Sequence, residues 1–562
     1  MVDQLNESSL SMKELLSQWT LWDLARVRSA LGTKPLLTIG TDTITYAGLY
    51  EQAARLSRFM KSQGIEVGDR VGTFGYNSTD SVVVWFACAS VGAVWVPLNV
   101  SLIGDDLRYT LADAAPRMLI VDEELLERLA PLGDVVPAEM LYVRGGSGHS
   151  SRRDFRETLT MEPDFSPSEV GPGSPLAIIY TGGSTGMPKG VLVSHAYYLG
   201  SGIRYAEVTE AVEQDVHYSG AHHLFHSGGQ QLGLLGPMFL GIRSHMERWF
   251  TASGYWNQVR SVGATIIDPI GPVIAALLRQ PPRSDDRQHE VRVGVGSATG
   301  QIPPSMRDEF ERRFGVLLLE VYAQTETGGV LMCSQRIDDH RQGSAGTTNG
   351  WAEIAIVDAD DQFVESGVSG EIVVRPLVQH TFMIEYINKP LETLSSWRNL
   401  WHHTGDLGYL DDEGYLFFIG RQAHWMRRRG ENVSSYEVEY CVLAMEGIIE
   451  CAVVGVLDEE MGDEEIKVYI VREADSAITE PDVALWCAER LAYFKVPRFV
   501  EIVEVLPRSG AKNEIERHRL REMGRGDSWD SRTIAGEEVR KGRTSKNQCS
   551  LPSGGGVPLP QG

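Results

Sequence analysis

The chain is 562 residues long, 42% hydrophobic and 23% charged, which at about 150 residues per domain gives two to four soluble globular domains that need no disulfide staples. Its 52 Lys and Arg against 76 Asp and Glu leave a net charge of −24, which excludes nucleic acid and anionic membrane surfaces as main partners and leaves an anionic substrate only with a local positive pocket. The six cysteines (Cys88, Cys333, Cys441, Cys451, Cys487, Cys549) form no CxxC pair, which argues against a zinc ribbon or redox dithiol and for a reduced, cytoplasmic setting.

The N-terminal MVDQLNESSLSMKELL has no positive segment leading into an apolar one, so no signal peptide is expected. Thr45 to Gly64 carries apolar residues at helical spacing and ends in glycine, and Gly68 to Gly75 is short, β-branched and glycine-bounded, as a strand is. The apolar run Val82 to Val96 is shorter than the roughly 18 residues of a membrane span and is cut by Ser90 and Gly92, so it reads as a buried helix entering a strand. Such alternation from about residue 35 to 415 predicts sheets covered by helices. Trp351 to Leu377 differs: WAEIAIVD and GEIVVRP are closely spaced strands of an antiparallel β subdomain. A second α/β unit spans about 426–521, with helices in YEVEYCVLAME and PDVALWCAERLAYF and strands in IIECAVVGVLD and EIKVYIVRE. Past Arg521 the chain is polar, rich in Gly, Ser and Pro, and without periodicity, so residues 522–562 are expected to be a disordered tail.

The sharpest motif is Tyr180-Thr-Gly-Gly-Ser-Thr-Gly-Met-Pro-Lys-Gly190, directly after the strand PLAIIY. Small residues let backbone N–H groups approach an anion, Thr181, Ser184 and Thr185 add hydroxyl donors, and Lys189 neutralises charge. These are the needs of a triphosphate. With Pro188 before the lysine and Gly190 after it, the segment is not a Walker A loop.

This loop resembles the YTSGTTGxPKG signature of the adenylate-forming superfamily of acyl-CoA ligases, peptide-synthetase adenylation domains and luciferases. Further motifs recur in the family's order over about residues 35–521. Val321-Tyr-Ala-Gln-Thr-Glu326 resembles YGxTE; the resemblance implies that Tyr322 stacks on adenine beside Ala323, Thr325 contacts the α-phosphate, Glu326 holds Mg2+, and Glu320 lies near the adenine amino group. Gly294-Val-Gly-Ser-Ala-Thr-Gly300, on its face a weak dinucleotide loop, matches the segment whose Gly296, Ser297 and Ala298 face adenine and the acyl carbonyl. Trp401-His-His-Thr-Gly-Asp406 resembles WxxTGD, making Asp406 a ribose ligand, and Arg421 of Phe418-Ile-Gly-Arg421 reaches the same ribose. Arg427-Arg-Arg-Gly-Glu-Asn432, with Gly430 and Glu431, resembles the segment lining the pantetheine tunnel.

His222-His-Leu-Phe-His-Ser-Gly-Gly-Gln230 resembles the carnitine- and crotonobetaine-CoA-ligase branch, with His226 at the acyl pocket. A zinc reading of His222, His223 and His226 lacks a fourth ligand. The small Ser227, Gly228, Gly229 and Gly296 hint at a wide pocket for a bulky hydrophobic acid.

The implied fold is the α/β adenylate-forming fold. A large N-terminal domain (1–420) holds α/β sheets and a β subdomain; a hinge (421–425), a small mobile α/β lid (426–521) and the tail follow. The implied cofactors are ATP/AMP, Mg2+ and coenzyme A, the substrate a carboxylic acid; no membrane span is expected and the oligomeric state is open.

One departure stands out. The family's last motif, PRxxxGK, places a lysine six residues after its proline and six before a leucine. Counted from Pro507 that position is Asn513, and counted back from Leu520 it is Glu514, so Lys512 comes early in a segment one residue too long. Three readings stay open: Lys512 reaches the site through a bulge; adenylation is weak or lost and only a preformed acyl-adenylate, supplied by a partner adenylating enzyme, is thioesterified; or the chain is a non-catalytic binder of nucleotide or acyl groups.

Overall fold

The computed structural model describes residues 12–145, 153–183, 186–298, 304–329, 332–348, 350–421, 425–428, 431–458, 463–508 and 515–534. The chain divides into two compact units, the first reaching Ala423 and the second beginning at His424.

In the first unit, Arg70–Phe74 lies between Val94–Leu98 and Met118–Asp122, all parallel. Val94–Leu98 pairs in parallel with Pro175–Gly183, which turns back antiparallel as Gly186–Ser194, and Glu385–Tyr386 closes that edge. A second sheet carries the parallel strands Arg243–Met246, Val216–Ser219, Ile266–Ile267, Val293–Ala298 and Leu317–Tyr322 in that order. The expected antiparallel β subdomain is the set Ala352–Val357, Gly370–Pro376, Trp401–Leu410 and Leu416–Arg421.

Local chemistry explains where the helices begin and end. Tyr46–Ser62 starts where the Thr45 hydroxyl accepts from the Gly48 N–H. Thr79–Val91 starts at a Ser78 cap and ends where Gly92 turns left-handed. This second helix is buried from Ser81 to Val91, and Trp85 stacks on Trp95 of the following strand at 4.9 Å between ring centroids. The apolar run is thus a core helix and strand. No helix among the described residues is long and apolar enough to cross a membrane.

Burial lowers His195, His223 and His402 from the usual 6.5 to about 4. The unfolded chain takes up protons on these groups below about pH 6.5 while the folded protein holds them neutral down to about 4. Their contribution is therefore complete above 6.5 and is lost as pH falls through that window, at about 1.4 kcal/mol per unit for each histidine. Urea midpoints at pH 7 and pH 5 test this; equal midpoints would contradict it.

The second unit packs the helices Ser435–Leu443 and Glu480–Arg490 around the antiparallel strands Ile448–Asp458 and Asp463–Arg472, with Phe499–Ile502 parallel to the latter. The expected tail boundary at 522 needs correction. Trp529–Asp530 adds a further antiparallel strand beside Phe499–Ile502, and a short helix, Ser531–Ile534, follows. The reason is charge, which periodicity does not record. The buried Lys467 donates to the carbonyls of Gly524 and Arg525 at 3.0 and 2.9 Å. Arg498 pairs with Asp530 at 3.1 Å, and Arg532 with the buried Glu465 at 2.8 Å. Asp530 is 4% exposed, so Asp530→Ala takes one carboxylate from the buried Arg498 guanidinium, which keeps Glu465 at 3.8 Å, and lowers the stability of this unit by about 1.5–3 kcal/mol. Chemical denaturation followed by hydrogen exchange in residues 463–502 measures it.

Candidate active site

The glycine-rich segment is a hairpin, with Tyr180 opposite Gly190 and Thr181 opposite Lys189. Its base is braced from outside: the Tyr180 hydroxyl donates to Asp113 at 2.8 Å, and the Tyr109 hydroxyl donates to the Pro188 carbonyl at 3.3 Å. Thr181 is buried, its hydroxyl 3.5 Å from the Lys189 carbonyl. The Lys189 ammonium lies 4.7 Å from the centre of the Tyr386 ring. Ser184 and Thr185 fall outside the described residues.

A second cluster forms where Leu317–Tyr322 ends near Trp401–Leu410. Asp406, 3% exposed, accepts from the Tyr322 hydroxyl and from the Gln324 amide, each at 2.8 Å. Gln324 also donates to the Thr404 carbonyl at 2.8 Å. Burial beside Asp406 pushes the Tyr322 pKa well up, so the phenol stays a donor. Arg421 stands opposite Asp406 in the register of the antiparallel ladder. Tyr322 is 5% exposed and its ring lies 5.8 Å from that of Phe418; on these contacts it orients Asp406.

Thr325 and Glu326 sit in one turn of 3₁₀-helix, Thr325–Thr327, with Ala323 just before it. A Glu326 carboxylate oxygen accepts from the Tyr386 hydroxyl at 3.0 Å. Gly296 takes φ +102 at a bulge, after which Ser297 and Ala298 stand opposite Glu320 and Val321. His226 precedes the short helix Ser227–Gln230 and joins Leu98, Asn99, Leu102, Tyr180 and Phe225 around a cavity. Asn77 fixes this loop by donating to the His222 carbonyl and accepting from the Leu224 N–H, at 2.9 and 2.8 Å.

Several expectations change. The Glu320 carboxylate pairs with the buried Arg307 guanidinium at 2.8 Å and its carbonyl accepts from the Gln335 N–H, contacts that place it in a core ion pair toward the end of the strand Leu317–Tyr322. The small residues do not widen a pocket. A Cβ on Gly228 would meet the His222 ring at 2.5 Å, one on Gly229 the His223 carbonyl at 2.2 Å, and one on Gly296 a Leu232 methyl at 2.6 Å. They allow close packing of the protein on itself, and the argument for a bulky acid loses its footing. Among the described residues the metal-type cluster is Asp361, Glu371 and His403, and the Arg398 guanidinium already sits among them at 3.1, 3.3 and 2.6 Å.

In the second unit Glu431 stands opposite Arg428 in a two-stranded ribbon, while Gly430 lies outside the described residues. Arg428 is buried, donating to the carbonyls of Phe494 and Val496 at 3.0 and 2.6 Å and pairing with Glu465, so it anchors the ribbon to its own core. Lys512, Asn513 and Glu514 also lie outside the described residues. Three contributors escaped the sequence reading: Gln324, at a variable position inside its motif, Tyr386 and Asp113. Asn388, two residues after Tyr386, takes φ 56 and donates to Asp113, and with Pro390 it gave a local sign of a turn there.

Residues 26–380 match the family model described as AMP-binding enzyme, and residues 437–512 match the AMP-binding enzyme C-terminal domain. The chain belongs to the AMP-binding enzyme family. A crotonobetaine/carnitine–CoA ligase of Salmonella paratyphi B is 30% identical over 482 residues, covering 83% of this chain and 90% of that ligase. An anthranilate CoA ligase, AuaEII, in complex with anthranoyl-AMP superposes with a TM-score of 0.81 at 24% identity, over 91% of this chain and 98% of the other, a likeness of fold. ATP-bound MatB from Rhodopseudomonas palustris gives 0.78 at 25% identity, over 89% and 98%. This AMP-binding enzyme is therefore an AMP-forming acid–thiol ligase with the adenylate-forming fold, acting through an acyl-AMP.

Proposed function

We propose that the enzyme converts a carboxylic acid and ATP to acyl-AMP and pyrophosphate, then acyl-AMP and coenzyme A to acyl-CoA and AMP. The observation that carries the reading is Asp406, buried and oriented by Tyr322 and Gln324, directly across the ladder from Arg421. A carboxylate held there with a fixed lone-pair direction suits two adjacent ribose hydroxyls. Thr181, Ser184, Thr185 and Lys189 would hold the phosphates, Tyr322 and Ala323 the adenine, and Thr325 the α-phosphate. His226 would border the acyl group. Gly430, Glu431 and their ribbon would serve coenzyme A.

Mg2+ suits Glu326: a partly buried hard oxygen donor, one oxygen already fixed by Tyr386, in a site otherwise fit for phosphate oxygens. When bound, the ion neutralises phosphate charge. Lys189 adds a point charge that needs no proton transfer, and the buried phenol of Tyr322 keeps Asp406 aimed while ligands exchange.

The segment around Lys512 favours a second reading, in which only the thioester-forming half survives. A paired mass-spectrometric assay tests both. One arm supplies ATP, Mg2+, coenzyme A and a panel of acids including carnitine, crotonobetaine and anthranilate; the other supplies synthetic acyl-adenylates with coenzyme A. Acyl-CoA in both arms is the expected result. Product only from preformed adenylates replaces it with the half-reaction reading, and none in either arm, with nucleotide still bound, leaves a binder.

A further inference from the structure

We propose that Tyr386 is a positioning residue that couples the two charged groups of the triphosphate site, carrying Lys189 on its ring and Glu326 on its hydroxyl. The inference rests on the phosphate and Mg2+ roles proposed for those two residues. They come from segments far apart in sequence, and Tyr386 touches both: the ammonium is 4.7 Å from the ring centre and the carboxylate 3.0 Å from the phenol oxygen.

The backbone around Tyr386 is built to keep this geometry. Residues 383–387 form a strap across the site. The Met383 N–H donates to the Glu326 carbonyl at 2.9 Å, and the N–H groups of Ile384 and Ile387 donate to Leu192 and Gly190 carbonyls at 2.7 and 2.9 Å. One end of the strap is thus fastened to the Glu326 turn and the other to the lysine strand. Tyr386 stands opposite Val191, and its own N–H is taken by the Thr393 hydroxyl at 2.9 Å. Gly190 makes the approach possible, since a Cβ there would meet an Ile387 side-chain carbon at 2.8 Å. The ring is buried and its hydroxyl raised in pKa by burial and by Glu326, so it stays protonated and donates.

The two ends of one tyrosine do different work. An aromatic face attracts an ammonium without taking its proton or neutralising its charge, so Lys189 is held near the phosphate hairpin and remains able to meet an anion. The hydroxyl occupies one side of the Glu326 carboxylate, which directs the remaining lone pairs outward. A leucine or other aliphatic side chain would fill the space and supply neither.

Calorimetric titration of ATP, with and without Mg2+, separates these effects in the full-length protein without relying on turnover. Tyr386→Phe keeps the ring and loses the hydroxyl. Its affinity for ATP without metal should stay within about twofold, while its affinity for ATP with Mg2+ falls about 10- to 100-fold, as expected for a lost hydrogen bond to a charged group. In a Glu326→Gln background the same substitution should add little. Tyr386→Leu should weaken ATP binding in both conditions. An unchanged Mg2+ effect in Tyr386→Phe, alongside a diminished one in Glu326→Gln, overturns the coupling and leaves the role of Glu326 standing. An unchanged Mg2+ effect in Glu326→Gln itself overturns the underlying assignment. Tyr386→Phe retains the buried ring and the backbone bond to Thr393, so the decision does not depend on whether Tyr386→Leu folds.

Discussion

Asp406→Ala is expected to lower affinity for ATP and for acyl-adenylate by about 10- to 100-fold while the protein still folds, because a hydrogen bond to a charged group is worth roughly 1.5–3 kcal/mol. The effect is amplified by what the substitution strands. The Tyr322 hydroxyl and the Gln324 amide both aim at this one carboxylate, and Tyr322 is almost wholly buried. Part of the damage will therefore be structural, and the design must separate the two. Asp406→Asn preserves volume and leaves an acceptor oxygen, so it should retain most stability and still lose nucleotide affinity. Tyr322→Phe removes only an orienting donor and should cost less in affinity than either. Calorimetry with ATP and melting curves on all three variants give the comparison. A fall in melting temperature with unchanged affinity would show that Asp406 is a core carboxylate and would count against its role at the ribose.

The residues that a sequence could disclose are those whose chemistry is local. Thr45 and Ser78 announce helix starts because a capping hydroxyl acts within three residues, and Gly92 announces an end because its left-handed backbone suits glycine. The motifs around Lys189, Tyr322 and Asp406 were legible for a related reason. Lys189 lies within the strand Gly186–Ser194, Tyr322 ends Leu317–Tyr322 and Asp406 lies within Trp401–Leu410, so in each case one contiguous segment contributes several groups to one place.

What escaped depends on contacts between distant segments. The partner of Glu320 is Arg307, thirteen residues earlier, on a helix that the motif itself does not include. Gly228 and Gly229 looked like the floor of a roomy pocket, yet their missing side chains make way for His222 and for the His223 carbonyl. Tyr386 carries no signal in its own neighbourhood, because its importance lies in Lys189 and Glu326, 197 and 60 residues away. The segment after residue 521 read as a tail because it lacks apolar periodicity; Lys467 and Arg498 recruit it by charge and carbonyl oxygens, which periodicity cannot report.

Installing a lysine at the expected adenylation position should have the largest kinetic consequence if the native chain lacks one there. Attack of a carboxylate on the α-phosphate builds negative charge at phosphorus, and a fixed cation acts on that charge far more than on the ground state. Loss of one such donor costs about 10²–10³ in rate, so Asn513→Lys or Glu514→Lys should recover a substantial part of that factor in the adenylation half-reaction. Glu514→Lys should gain the more of the two if register is set from Leu520, because it also removes a repelling carboxylate. Thioester formation from a supplied acyl-adenylate should be unaffected in both, since no charge builds at phosphorus in that step. The opposite pattern identifies Lys512 as the working group: no gain in either variant, and a loss of about 10²–10³ in adenylation for Lys512→Ala with thioesterification preserved. Pyrophosphate exchange reads the first half-reaction and acyl-CoA from preformed adenylate reads the second. The two assays together place the cation at 512, 513 or 514 by which substitution moves the first rate without the second.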